Sequence, residues 1–324
     1  MVYLLGIRTY YAMQATDTQP SQSPSCWICR SKRTVRWKPN NLNRPLAVDD
    51  LKITDDRYGV TLELWRCKHC QFIFASNHEF NNLVSLYEQL NDTEYNDDYE
   101  VRSLQMQWLL KKAREYYPDA KTLLDIGSAS GVLIAEATKK GLNAIGIEPS
   151  RALVDAAREH HAVELIHGVF PHAQIKDKQF DLVFMVDVIE HVDNPLQLLR
   201  DCMQVMHAHS ILVVVTPDIS SITARMLGKK WWHLRLAHVG YFNRHSFQAA
   251  SDKAGLNIIH SWRAKWFFRI SYLTRRLENY LPIAKINHWM SATSIFKPVL
   301  QASIPLNLHD SSVFVLKKSD FVHA

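Results

Sequence analysis

The chain contains 324 residues, of which 47% are hydrophobic and 22% are charged. This length predicts one large packed unit and a smaller one, and the composition excludes a wholly disordered protein. The formal net charge of +6 is modest for the length. It favours an anionic partner without singling out nucleic acid over a small phosphate-bearing substrate.

The amino-terminal segment, residues 1–25, is predicted to be a flexible leader. Its polar half contains nothing that would fill a core, and Arg8 follows the apolar stretch 2–7, whereas a secretory signal carries its charge in front. No run of 18 apolar residues occurs, so the sequence predicts no membrane-spanning helix. We therefore expect a cytoplasmic protein, in which paired cysteines indicate a metal before a disulfide.

A small zinc ribbon is predicted over residues 26–76. It contains two C-x-x-C pairs, Cys26/Cys29 and Cys67/Cys70. Four thiolates from two such turns form the closed tetrahedral site that structural zinc prefers. The long gap between the pairs implies an insertion in the ribbon. A redox-active dithiol and incidental cysteines are the alternative interpretations.

Residues 77–117 are predicted to form a tyrosine-rich connector and a helix that Pro118 ends. From 118 to 324, apolar runs of strand length alternate with amphipathic helices, which predicts an α/β fold with a mostly parallel sheet. The predicted strands are 122–126, 144–148, 164–167, 182–187 and 211–216, with strand-like segments at 257–267 and 312–316. The predicted helices lie near 131–140, 150–160, 194–207 and 245–254, with a helical insertion near 271–300.

A turn of small residues, 127–131, follows the first strand of this sheet and opens a helix. Such a turn allows the backbone to approach a ligand, and the helix start offers free N–H groups. The next strand ends at Glu148, where a carboxylate can accept hydrogen bonds from both ribose hydroxyls of an adenosine. The alternative role of Glu148 is to favour the start of the following helix.

In this order, the motifs resemble those of class I S-adenosylmethionine (SAM)-dependent methyltransferases over about residues 122–319. Asp125, Gly127 and Gly131 match the family's acidic-x-G-x-G-x-G loop, and Ala129 replaces the middle glycine. Alanine costs little where φ is negative, so we expect a negative φ there. The stretch 180–195, a strand running into a charged cluster, resembles the family's fourth motif.

The resemblance implies a Rossmann-like sheet of seven strands with helices on both faces, in front of which the zinc ribbon is added. It also implies SAM as the cofactor. The residues implied in SAM binding are Asp125, Gly127, Ser128, Gly131, Glu148 and Asp187, together with Val169 or Phe170 at the adenine, where the family usually has an acid.

Methyl transfer from a sulfonium is an in-line displacement, so the protein mainly aligns the two reactants and removes a proton from the acceptor. His238 is the first candidate for the base, because histidine titrates near neutral pH and this position resembles one that lines the family's acceptor pocket. The alternative for His238 is a hydrogen bond to the backbone alone. His191 and Tyr241 are further catalytic candidates, with Trp231 and Trp232 as walls of the acceptor site.

The cluster Asp187, Glu190 and His191 resembles a divalent-metal site of some quinone-pathway O-methyltransferases. The alternative is that Glu190 orients neighbouring loops.

We therefore predict a SAM-dependent methyltransferase that transfers a methyl group to carbon or oxygen of a small molecule. A ribbon ahead of such a domain resembles sugar-methylating enzymes, which implies a nucleotide-linked sugar or saccharide acceptor. One alternative is a non-catalytic SAM-binding protein whose ribbon recruits a partner. The other is a nucleic-acid methyltransferase, although the missing Asn-Pro-Pro-Tyr motif leads us to expect no nucleic-acid partner.

Overall fold

A computed structural model describes residues 23–52, 57–76, 83–91, 99–278 and 280–319 of the chain. Most of the predicted leader and part of the connector, including Tyr95, lie outside these residues. Within the ranges described, no helix is long and apolar enough to cross a bilayer.

The described elements are thirteen strands and ten α-helices. The strands are β1 Thr34–Lys38, β2 Leu64–Cys67, β3 Ile73–Ala75, β4 Thr122–Ile126, β5 Asn143–Glu148, β6 Ile166–His167, β7 Phe180–Val186, β8 Met206–Pro217, β9 Gly240–Tyr241, β10 Leu256–Arg263, β11 Trp266–Arg269, β12 Ser303–Leu306 and β13 Ser311–Lys318. The helices are α1 Leu83–Glu88, α2 Tyr99–Arg114, α3 Val132–Lys139, α4 Arg151–His161, α5 Pro195–Gln204, α6 Ile222–Leu227, α7 Arg244–Ala254, α8 Ile270–Leu277, α9 Ala284–Ala292 and α10 Lys297–Gln301.

The main sheet has seven strands in the order β10-β13-β8-β7-β4-β5-β6. Strands β4 to β8 of this sheet pair in parallel, and β13 lies antiparallel between β8 and β10. The α/β class and the mostly parallel seven-stranded sheet are therefore confirmed. Since the parallel strands end at one edge, the segments that follow β4, β5, β7 and β8 meet there.

Alternating side chains of the central strands fill two cores, one on each face of the sheet. Leu123, Phe184 and Val213 pack with α2 and α3 on one face. Leu124 and Val183 face the opposite core, which α5, α7 and the cysteine-bearing sheet cover. Helices on both faces shield these apolar strands from water, as parallel sheets require.

A second sheet of four antiparallel strands contains the cysteine pairs, in the order β1-β2-β3-β9. Its last strand, β9, comes from the part of the chain that follows β8, because Ile73 pairs with Tyr241 and Phe74 with Gly240. The amide of Ala75 extends the ladder to the carbonyl of Val239 at 2.8 Å. The ribbon and the segment after β8 are thus joined by backbone hydrogen bonds.

Local capping fixes the helices that border the sheet edge. The Ser150 side chain accepts a hydrogen bond from the Leu153 amide and so starts α4. Asn243 caps α7 in the same manner, and the helix ends at Gly255 with φ +79°, as its sequence predicts.

Three predicted elements differ from the structure. Helix 194–207 ends at Gln204, because β8 begins two residues later and takes up the following backbone in the sheet. The strand-like segment 257–267 is two strands, since the amide of Ala264 turns to the carbonyl of Ser311 between them. The third strand is only Ile166–His167.

The predicted insertion leaves the sheet through a hairpin of β11 and β12. Between these strands, α8, α9 and α10 follow one another over residues 270–301.

Candidate functional site

The four cysteines of the two C-x-x-C pairs converge in the second sheet. The Sγ atoms of Cys26 and Cys70 lie 3.5 Å apart, as do those of Cys29 and Cys67, and all four lie within 4.8 Å of one another. Zinc–sulfur bonds of about 2.3 Å in a tetrahedron require sulfur–sulfur edges of about 3.8 Å. The His69 amide points to Cys67 Sγ at 3.4 Å, so its backbone contacts the cluster. The geometry therefore fits one zinc ion.

The small-residue turn after β4 has the backbone that a tight approach requires. Gly127 and Gly131 have φ values of +73° and +75°, and a Cβ on Gly127 would lie 2.6 Å from Val188 Cγ2. Ala129 has a φ of +48°, so the expectation of a negative φ there is wrong. The Ala129 amide is held at 2.8 Å by the Glu148 carboxylate, which keeps this residue in the left-handed region.

Glu148 lies buried at the end of β5 and binds the turn to the next helix. Its Oε2 accepts a hydrogen bond from the Ala129 amide, and its Oε1 accepts one from the Ser150 amide at 2.8 Å. Burial raises the pKa of Glu148 to about 7 despite both hydrogen bonds. Each carboxylate oxygen has a second lone pair, which a ribose hydroxyl can use.

Asp125 is buried at the end of β4, where burial raises its pKa to about 7 and the Glu148 charge adds to the effect. A cavity opens beside it at the sheet edge. The residues that line this cavity are Arg102, Met106, Asp125, Gly127, Ser128, Val132, Leu133 and Val186. Arg102 and Met106 come from α2, ahead of the motifs, so no pattern in the sequence marked them.

The segment after β6 presents two apolar side chains of different exposure. Val169 is 41% exposed, while Phe170 is 8% exposed and packs in the core. The amide of the preceding Gly168 donates to the Glu148 carbonyl. Of the two adenine candidates, Val169 is therefore the one with a side chain open to a ligand.

A buried cluster follows β7 in a short 3-10 helix, residues 189–191. Ligand atoms of Glu190, His191 and His238 lie within 4.8 Å of one another. The predicted grouping of Asp187 with Glu190 and His191 is thus wrong in one member: Asp187 is exposed with φ +52°, and His238 takes its place because β9 brings residue 238 next to Glu190. This donor set would also suit a divalent cation.

Two atoms of this cluster lack a partner. Within the described part of the chain, no hydrogen-bonding atom reaches Glu190 Oε1 or His238 Nδ1, although Glu190 Oε2 accepts a bond from Thr216. Burial raises the pKa of Glu190 and lowers that of His238 well below its usual value. Burial also lowers the pKa of His191 to about 4. At neutral pH both imidazoles are therefore uncharged.

Helix α1 and the loop of residues 231–239 close around this cluster. Tyr87 of α1 lies 2.7 Å from His191 Nδ1, and the Ala237 carbonyl lies 2.9 Å from the same atom. Tyr241 is buried and donates to the Arg235 carbonyl, and burial raises the pKa of its phenol. Tyr241 thus remains protonated at neutral pH.

Sequence reasoning missed a carboxylate–imidazole pair at the same edge. Asp310, buried just before β13, lies 3.1 Å from His233 Nε2 and accepts a 2.8 Å bond from Trp232 Nε1. The His233 ring stacks on His238 at a centroid distance of 5.6 Å. Asp187 lies within electrostatic reach of His233, Asp310 and Arg102. Trp231, a predicted wall, is buried in the core.

Comparisons with known proteins agree with this architecture. A profile of the family described as a methyltransferase domain matches residues 99–261. The ubiquinone biosynthesis O-methyltransferase of Aliivibrio fischeri is 23% identical over 186 residues, which cover 55% of this chain and 78% of that protein. The enzyme of the same name from Acinetobacter baylyi is 23% identical over 171 residues, covering 50% and 71%.

A crystal structure of a SAM-dependent methyltransferase from Archaeoglobus fulgidus is 15% identical, with a TM-score of 0.47; it covers 70% of this chain and 100% of that one. The family match spans half of the chain and includes the glycine turn, Glu148 and the charged end of β7. The chain therefore belongs to the methyltransferase domain family and is a class I SAM-dependent methyltransferase.

Proposed function

We propose that this enzyme transfers the methyl group of SAM to a hydroxyl oxygen of a small organic molecule, most specifically a phenol-type hydroxyl. The observation that carries the proposal is the pair of unpartnered buried atoms, Glu190 Oε1 and His238 Nδ1. A buried polar atom without a partner costs about 1–3 kcal/mol, so a ligand that satisfies both is favoured. A hydroxyl oxygen between them can accept from a His238 Nδ1–H group and from the Glu190 carboxyl, whose protonated form burial favours, so that its own proton remains free to leave.

We assign the cofactor to the cavity between the glycine turn and α2. Glu148 would accept from the ribose hydroxyls, Val169 would pack on the adenine, and Arg102 would face the cofactor's carboxylate. Asp125, Gly127, Ser128, Gly131 and Asp187 would line the remaining surface. Asp187 is exposed at the tip of β7 and so can approach the positively charged end of SAM.

The acceptor proton would pass to His233, which Asp310 orients. A buried carboxylate beside an imidazole fixes the ring and stabilises the imidazolium that forms. His238, His191 and Tyr241 then serve to hold the acceptor, because the two imidazoles are neutral and the phenol remains protonated. Oxygen as the acceptor atom is also supported by the relatives from Aliivibrio fischeri and Acinetobacter baylyi, which are named as O-methyltransferases.

We further propose that Cys26, Cys29, Cys67 and Cys70 hold a structural zinc ion. The closed set of four thiolates leaves no position for a substrate, so this ion would supply folding energy and not chemistry.

The experiment is incubation of the zinc-loaded chain with SAM that carries a deuterated methyl group and a panel of catechols, nucleotide sugars and short glycans. We expect label on a phenolic oxygen, and a rate at least tenfold lower for Glu190→Gln. The matched control is Glu164→Gln, an exposed carboxylate paired with Arg158. Label on a sugar would overturn the phenol assignment. If metal chelation changes the rate of the wild type but not that of Glu190→Ala, a cation binds at the cluster of Glu190, His191 and His238.

A further inference from the structure

The helical excursion, residues 270–301 with α8, α9 and α10, exposes a concentration of apolar side chains. Of the fourteen exposed large hydrophobic side chains in the described residues, six lie in this segment. They are Leu277 (43% exposed), Leu281 (49%), Ile286 (56%), Trp289 (59%), Ile295 (75%) and Val299 (50%). Scattered apolar residues are normal on a protein surface, whereas a cluster of this kind marks an interaction site.

The exposed residues are held in place by the excursion's own packing. Ile286 and Trp289 are three residues apart in α9 and so share one side of the helix. The Trp289 ring contacts Phe296 at a centroid distance of 5.1 Å, which joins α9 to the turn that carries Ile295. Leu300 is buried and anchors α10.

The charge of the excursion is predominantly positive. It contains four basic residues, Arg275, Arg276, Lys285 and Lys297, and one acidic residue, Glu278. The Glu278 carboxylate accepts a 2.6 Å hydrogen bond from the buried amide of Asn287, so it is turned toward α9. Apolar and aromatic side chains flanked by lysine and arginine are typical of helices that lie in the interface of a bilayer.

We propose that the helical excursion binds the surface of an anionic lipid bilayer. Its apolar side chains would enter the boundary between headgroups and acyl chains, and Arg275, Lys285 and Lys297 would meet lipid phosphates. A second copy of the chain complements this surface less well, because two excursions of the same positive charge repel each other and the whole chain carries a net charge of +6.

The excursion also contacts the loop that carries the proposed acceptor site. Tyr280 donates a 2.7 Å hydrogen bond to the Lys230 carbonyl, next to Trp231 and Trp232. A bilayer bound here would therefore lie beside this loop. The proposal itself does not depend on the identity of the acceptor.

The test is co-sedimentation of the zinc-loaded full chain with vesicles of phosphatidylcholine alone or with one third phosphatidylglycerol. We expect binding to the anionic vesicles, at least tenfold weaker binding for Trp289→Glu, and loss of the preference for anionic lipid in the triple variant Arg275→Gln, Lys285→Gln, Lys297→Gln. The control is Ile259→Glu, which places the same charge at an exposed apolar position of β10 and should bind like the wild type.

Equal binding to both vesicle types, or wild-type binding by Trp289→Glu, would overturn the proposal. A further result would also overturn it: the wild type does not bind vesicles but forms a concentration-dependent dimer that Trp289→Glu disrupts. The surface would then join two copies of the chain. SAM affinity, measured in parallel, should be equal in all four proteins, and this shows that each variant is folded.

Discussion

Glu148 joins three segments through one carboxylate, since it contacts the glycine turn and the start of α4 and faces the proposed ribose position. In Glu148→Gln, an amide NH2 group would face either the Ala129 or the Ser150 amide, and two donors repel. We expect SAM affinity to fall by about 10- to 100-fold, which corresponds to about 1.4–3 kcal/mol. Calorimetric titration checks this, with Glu164→Gln as the control. Unchanged affinity would place the ribose elsewhere.

The raised pKa values of Asp125 and Glu148, both about 7, predict pH-dependent cofactor binding. Both pKa values are higher in the folded, cofactor-free protein than in the unfolded chain. The protonated carboxyl groups therefore stabilise the cofactor-free fold, and this stabilisation is lost as the pH rises through about 7. SAM, with its cationic sulfonium and ribose donors, favours the ionised carboxylates. We therefore expect the dissociation constant of SAM to fall roughly tenfold between pH 6 and pH 8.

Thermal shifts with and without SAM at several pH values measure this directly. The SAM-induced shift should grow with pH in the wild type and vary less in Glu148→Gln. A shift that is constant from pH 6 to pH 8 contradicts the assignment.

Asp310 is expected to act through His233. Asp310→Asn removes the charge that would stabilise an imidazolium, so we predict a fall of about 10- to 100-fold in kcat with little change in SAM affinity. KM and kcat are measured separately with the acceptor that the panel identifies. Asp201→Asn, which alters a half-buried carboxylate that accepts a hydrogen bond from Gln197, is the matched control. An effect on SAM affinity as large as that on kcat would indicate general damage to the fold.

The sequence indicated Glu148, the glycine turn and His238 because each lies within a short motif. It did not indicate His233 with Asp310, which are brought together only when β13 inserts beside β8. Ala129 shows the opposite limit. Propensity favours a negative φ there, but the residue has φ +48° and its amide donates a hydrogen bond to the Glu148 carboxylate.

At the scale of elements, the main coupling is between β3 and β9. The cysteine-bearing sheet ends on Gly240–Tyr241, and the Val239 amide donates to the Glu190 carbonyl at 2.9 Å. The cysteine cluster is thereby connected through backbone hydrogen bonds to the cluster of Glu190, His191 and His238. Among the described residues, no strand pairing joins the glycine turn, residues 127–131, to the cysteine-bearing sheet.

Loss of the metal should therefore impair methyl transfer more than SAM binding. For Cys67→Ser we expect a loss of at least about 3 kcal/mol of stability, a fall in Tm of roughly 6–12 °C, and faster hydrogen exchange at residues 239–241. Exchange at residues 127–131 should change little. The control Cys202→Ala removes a buried thiol outside the cluster, and this variant should still lose stability when a chelator is added. Faster exchange at residues 127–131 than at 239–241 in Cys67→Ser would contradict a structural metal.

Among the elements, the parallel strands β4, β7 and β8 were predictable because each contains a continuous apolar run between helices. Strand β9 was not, since two residues give no periodicity and its partner β3 lies more than 160 positions earlier in the chain. The split of segment 257–267 was also hidden, because both halves have strand-like composition and only the contact of Ala264 with Ser311 separates them.

At the scale of the whole molecule, three parts surround one edge of the main sheet. The cavity proposed for the cofactor lies between β4, β7, α2 and the start of α3. The cluster of Glu190, His191 and His238 follows β7, and the cysteine-bearing sheet pairs with residues 239–241 beside it. We propose that the predicted ribbon, 26–76, and the catalytic part from 118 onward fold as one cooperative unit, because they share a core. A single unfolding transition that follows metal content is the expected result.

The proposed methyl transfer requires SAM to occupy the cavity beside Gly127 and Glu148. The most direct test of this occupancy is isothermal titration of SAM into the zinc-loaded full chain at pH 8. We predict saturable binding of one SAM per chain, with S-adenosylhomocysteine competing for the same site. Absence of binding to folded, metal-loaded protein would contradict the account.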